Sequence, residues 1–74
     1  MSVTVEQKHT ENYYISMSIE TANYYSYTYN YYLISVYPLY KDGTAGYPIK
    51  TMNYPIDEKE KATRTYNRYC KKYI

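Results

Sequence analysis

Apolar residues recur at every second position through the middle of this chain and then change, from Ala62 onward, to helical spacing. Tyr13, Ile15, Met17 and Ile19 fall on one side of an extended segment, with Tyr14, Ser16 and Ser18 on the other. That alternation belongs to a strand buried on one face. Val3 and Val5 begin a shorter run of the same kind, either an earlier part of that strand or a separate edge strand. Glu20-Thr21-Ala22-Asn23 reads as a turn. After it, Tyr25, Tyr27, Tyr29 and Tyr31 share a face opposite Ser26, Thr28 and Asn30, and the β-branched and aromatic run from Tyr31 to Tyr37 continues the strand with both faces buried. A strand from Tyr24 to Leu39 would be unusually long, so a bend or bulge is expected near Asn30. Pro38 has no N–H for a ladder and belongs at an edge or a bulge near the strand's end.

Asp42-Gly43, inside the segment Lys41 to Gly46, is the strongest short-range hairpin signal in the chain. The return strand is expected over Tyr47 to Tyr54, with Pro48 near its start. Pro55 and Ile56 end that strand, and Asp57 is the expected helix N-cap with Glu60 as its reciprocal partner. Ala62, Tyr66, Tyr69, Cys70 and Tyr73 then form one apolar stripe on a helix running from about Glu58 to Tyr73. The fold class is therefore α+β. An antiparallel sheet of three strands, or four if Val3 and Val5 start one of their own, carries one C-terminal amphipathic helix on one face. Ile15, Met17, Ile19, Ile34, Val36, Ile49 and Met52 should meet the helical stripe in the core.

Seventy-four residues make one small domain, 1–74, near the length at which a core only just outweighs chain entropy. Cys70 is the only cysteine, so no disulfide forms within the chain, which suits a reducing compartment. One thiol and one histidine, His9, do not make a four-ligand zinc site, and acids at Asp57, Glu58 and Glu60 are what the helix dipole favours. The N-terminus has no basic segment followed by an apolar one, and the stretch from Tyr31 to Tyr40 is too short to span a bilayer. A cytoplasmic protein without membrane contact is expected. No phosphate loop, His-Glu metal spacing or nucleophile elbow is present, so no enzymatic activity, cofactor, metal or small-molecule substrate is expected. His9 reads as exposed and idle, and Cys70 as a small core residue.

Two surface features remain. The chain has 15 Tyr but neither Phe nor Trp, more phenols than so small an interior can satisfy. The row Tyr25, Tyr27, Tyr29 and Tyr31 reads as a plain strand scaffold, as a protein-contact patch, or as a stacking platform for unpaired bases. Charge is uneven, with residues 1–40 at −2 and residues 41–74 at +4. Lys61, Arg64, Arg68, Lys71 and Lys72 make the helix basic, either as a solvated face or as a polyanion footprint. The expected function is protein–protein interaction through an exposed Tyr-rich sheet face, with another protein or by self-association. The alternative is nucleic-acid binding by that face together with the basic helix. In its order of strand, Asp-Gly hairpin, strand and helix, the segment from Tyr31 to Tyr73 resembles in outline the arm-type DNA-binding domains of phage and transposon integrases. That resemblance implies DNA contact through the sheet. The size, Tyr-rich composition and lack of catalytic motifs are also similar to small phage or mobile-element proteins that bind and block a host protein.

Overall fold

In a computed structural model describing residues 2–74, alternating residues pair into a four-stranded antiparallel sheet. The strands β1 (Ser2–His9), β2 (Tyr13–Tyr24), β3 (Tyr27–Pro38) and β4 (Lys50–Pro55) lie side by side in chain order, followed by helix α1 (Lys59–Lys72). The α+β architecture is as the hydrophobic periods require, and Val3 and Val5 do belong to a separate edge strand. Register explains the two faces. Ile15 pairs with Val36 and Met17 with Ile34, so odd positions of β2 and even positions of β3 form the side on which α1 packs. Ala62, Tyr66 and Tyr69 seal that side, and Ile15, Ile34 and Val36 are fully buried beneath them. No helix among the described residues is long and apolar enough to cross a membrane.

Several expectations are corrected. Glu20 to Asn23 is not a turn: these residues continue β2, pairing with Tyr31, Asn30, Tyr29 and Thr28. The reversal is instead the two residues Tyr25-Ser26, closed by the Tyr24–Tyr27 pair. β3 therefore starts only at Tyr27, and pairing runs without interruption past Asn30, where a bulge was expected. The bulge lies in β1, between Thr4 and Glu6. The run Tyr31 to Tyr37 is sealed throughout on the helix side, while on the other Ser35 is buried but Tyr31, Leu33 and Tyr37 are only half-buried. The return strand begins at Lys50 rather than Tyr47, because Leu39 to Ile49 form a loop of their own. In it Leu39 bridges Ala45, and Gly43 turns the chain at φ 87°. The helix N-cap is Glu58, with no side-chain cap bond, and its carboxylate instead accepts from Lys61 at 3.0 Å.

The largest correction concerns the core. Ile49 and Met52 are exposed, and Tyr32 takes the buried position. The cause is the course of α1. It starts above β4, where Tyr54 and Thr65 share a 2.5 Å hydroxyl contact, and ends beside β2, where Tyr73 meets Tyr13 edge-on at 5.3 Å between ring centres. A helix crossing the sheet obliquely leaves the start of β4 bare. Met52 thus pairs with Ile34 on the same face yet remains 42% exposed, against 0% for Ile34. Ile34→Ala is expected to cost about 2–5 kcal/mol in urea unfolding and Met52→Ala less than about 1 kcal/mol. Equal costs for the two would mean that the helix covers both.

Candidate functional site on a tyrosine arm

The β2–β3 ribbon is longer than its neighbours. Among the described residues, β1 reaches only to the Ser2–Glu20 pair and β4 only to the Tyr31–Pro55 pair. Beyond them, Thr21 to Tyr24 and Tyr27 to Asn30 pair with each other alone, as an arm projecting about 13 Å at the rise of a strand. The arm accounts for the elongated 43 × 24 × 17 Å envelope. Its two strands are joined across one face by Thr21, whose hydroxyl donates to Asn30 Oδ1 at 2.8 Å.

The other face carries the rings. Odd positions of β3 and even positions of β2 point away from α1, so Tyr27, Tyr29 and Tyr31 come together there with Tyr24 from the adjacent strand. Ring centres follow one another at 4.6 Å from Tyr25 to Tyr24, 5.6 Å to Tyr27, 6.3 Å to Tyr29 and 6.0 Å to Tyr31. All four spacings fall within the range in which aromatic pairs attract. Tyr25, expected on the strand face, stands instead at the tip of the arm, 92% exposed and with φ 53°. Tyr24 was missed. Reading Glu20 to Asn23 as a turn broke the alternation that puts Tyr24 in phase with Ser16 and Ser18.

The rest of the open face is polar and nearly uncharged. Ser16, Ser18 and Ser35 form its floor, and Tyr14 stacks on Tyr37 at 5.8 Å and lies 4.5 Å from His9 at the end remote from the arm. Glu20 is its one carboxylate. Hydroxyl donation by Ser18 at 2.6 Å, then by Ser2, holds it below its ordinary pKa of 4.5. At the base of the arm, where β4 leaves the sheet, a groove of about 640 Å³ is bounded by Tyr29, Tyr31, Pro55, Ile56 and Asp57.

No family model, curated protein or solved structure matches this chain. Its chemistry must therefore be read from the site alone.

The basic residues lie on the other layer. Lys61, Arg68 and Lys72 sit four residues before, three after and seven after Thr65, whose hydroxyl meets β4, so they occupy the flank of α1 nearest β4. Arg64 and Lys71, seven residues apart, share the side of α1 turned further outward. Lys50 pairs with Val36 and so shares the helix side, an addition that helix spacing alone could not reveal. No Lys or Arg of the four strands is on the Tyr face: Lys8 pairs with Ile15 on the helix side and reaches the Cys70 carbonyl at 3.5 Å. Cys70 is half-buried. Burial first, then the neighbouring Cys70 thiol, raises the Tyr66 phenol far above its ordinary value of 10.

Two outcomes follow. A non-glycine residue at positive φ is strained, so Tyr25→Gly should leave thermal stability unchanged or raise it by up to about 1 kcal/mol; a loss would show that ring packing on Tyr24 outweighs the strain. Because the folded pKa of Glu20 is lowered, its contribution is complete above the ordinary value of 4.5 and lost as pH falls through the folded value. Glu20→Gln should accordingly lower the urea midpoint at neutral pH, by an amount that shrinks as pH falls below 4.5 and through the folded value. A deficit that does not shrink would locate the loss elsewhere.

Proposed function

We infer that this chain is a non-enzymatic protein-binding module whose contact surface is the ring row of the arm. The observation that carries this reading is the unbroken sequence of rings from the exposed Tyr25, Tyr24, Tyr27 and Tyr29 to the half-buried Tyr31 at the base of the arm. Tyr supplies broad, stiff contact area at a small cost in side-chain entropy, and Tyr set among Ser and Asn is the composition that antibody loops use to grip protein surfaces. The charge of the face supports the same reading. A platform for single-stranded nucleic acid combines rings with cations that follow the phosphates, and here the strand cations lie on the opposite layer.

A second reading draws on that opposite layer. Lys50 adds to the flank formed by Lys61, Arg68 and Lys72, with Arg64 and Lys71 on the adjoining outward side of the helix, which gives a polyanion a basic track independent of the rings. It predicts strong salt dependence, weak sequence preference and no role for the arm.

One comparison separates the two. When a tagged chain is recovered from its own host, it is expected to retain a protein partner that the Tyr27→Ala/Tyr29→Ala variant loses by at least about tenfold, since truncated aromatic anchors cost most. Arg64→Glu/Arg68→Glu should keep that partner. If the Tyr variant holds its partner and the Arg variant instead loses salt-sensitive nucleic acid, the basic-track reading replaces the first.

A further inference from the structure

The strand edges of this sheet are not protected equally. The outer edge of β1 has a bulge beside Val5 and the charges of Glu6 and Lys8. β4 is short, begins with Lys50 and ends with Pro55. These are usual means of preventing strands from adding. The arm has none of them: no charged residue, proline, glycine or bulge occurs between Thr21 and Asn30, and no charge of either sign before Lys41.

Which backbone groups the arm leaves open follows from the ladder. In an antiparallel strand a residue's N–H and C=O point to the same side, alternating along the chain. The carbonyls of Val36 and Pro38 accept from Ile49 and Gly46, on the β4 side. Even residues of β3 therefore face that side, and past Pro55 the N–H and C=O of Thr28 and Asn30 have no strand beside them.

We propose that a second copy of this chain fills that edge, the two arms pairing antiparallel about a two-fold axis at Thr28. The proposal rests on the arm being a protein-contact element and names its partner. In this register Thr28 lies opposite Thr28 of the other copy, and Ser26 opposite Asn30. The ladder stops there, because Pro55 already occupies the edge beside Tyr31, and Tyr25 of each copy is left at the end of the other's β4, where the groove of Tyr31, Pro55, Ile56 and Asp57 begins. The chain thus carries both halves of the contact: a ring at the tip with 92% of its surface free and a groove of about 640 Å³ one arm's length away. Such self-complementarity is what a two-fold interface requires. A neutral arm sets up no repulsion between identical copies and offers a charged foreign strand nothing to select. Both ring rows then lie on the same face of one continuous sheet. The contact is small, at the low end of specific interfaces, and the dimer is a weak one.

Sedimentation equilibrium of the full chain over a wide concentration range tests this, using the parent, Thr28→Lys, Thr28→Glu, an equimolar mixture of those two variants, and Tyr27→Ala/Tyr29→Ala. Thr28 is exposed, and amide spectra establish that each variant is folded. A reversible monomer–dimer equilibrium is expected for the parent, weakened at least about tenfold in each charged variant, because like charges directly opposite repel. Mixing the Lys and Glu variants should restore it. A parent that stays monomeric at every concentration overturns the proposal and leaves the partner-retention test of the ring row standing. Unchanged dimerisation of both charged variants also overturns it; if Tyr27→Ala/Tyr29→Ala is then monomeric, the copies meet through their ring faces and not their edges.

Discussion

The contact between one helix and one face of the sheet governs everything else in this protein. Ile15, Met17, Ile34 and Val36 have no cover except α1, and the stripe Ala62, Tyr66 and Tyr69 has nowhere else to go. Fourteen helical residues span about 21 Å, less than the ribbon they lie across. A single helix of that length therefore seals only the middle of the sheet. It leaves uncovered the start of β4, most of β1, the arm and the opposite face, where only small side chains such as Ser18 and Ser35 are enclosed by their neighbours.

The oblique course of the helix sorts the side chains chemically. The buried apolar residues and the bases Lys8 and Lys50 share its side, while the other carries mainly Ser and Tyr, with Leu33 and Glu20 among them. Tyr fulfils both roles. Tyr32, Tyr66 and Tyr69 are buried as hydrophobic bodies, with Tyr54 meeting Thr65 through its hydroxyl, whereas Tyr24, Tyr25, Tyr27 and Tyr29 keep theirs in water. A phenol tolerates either setting where Phe would not, which gives physical sense to a chain rich in Tyr and without Phe.

The arm is the part of the fold that packing does not explain. Eight residues pair with one another and cover nothing, and a free two-stranded ribbon is marginal in water without help. Here it is anchored as an extension of the two central strands, stiffened by consecutive aromatic contacts and by the Thr21–Asn30 bond. A segment so exposed and so uncharged would be stabilised by a further surface laid against it.

Alternation in Tyr13 to Ile19 and in Tyr31 to Tyr37, together with the stripe from Ala62 to Tyr73, determined the fold class, the central strands and the helix face, because period alone fixes which side of an element can be buried. One helix cannot cover two faces, so an open face was legible, but that Tyr27 and Tyr29 stand on it was decided by the pairing of β2 with β3. Strand ends were not legible. Glu20 to Asn23 has turn-like composition, yet its pairing with Tyr31 to Thr28 keeps it extended, and ladder partners distant in sequence override local preference. For the same reason Tyr24 entered the row unannounced and Tyr25 left it for the tip, whereas Ile49 and Met52 fell outside the core because the helix does not reach them. The sequence states which side of each strand is apolar; only the angle at which the helix crosses the sheet decides how far along the strand that side is covered.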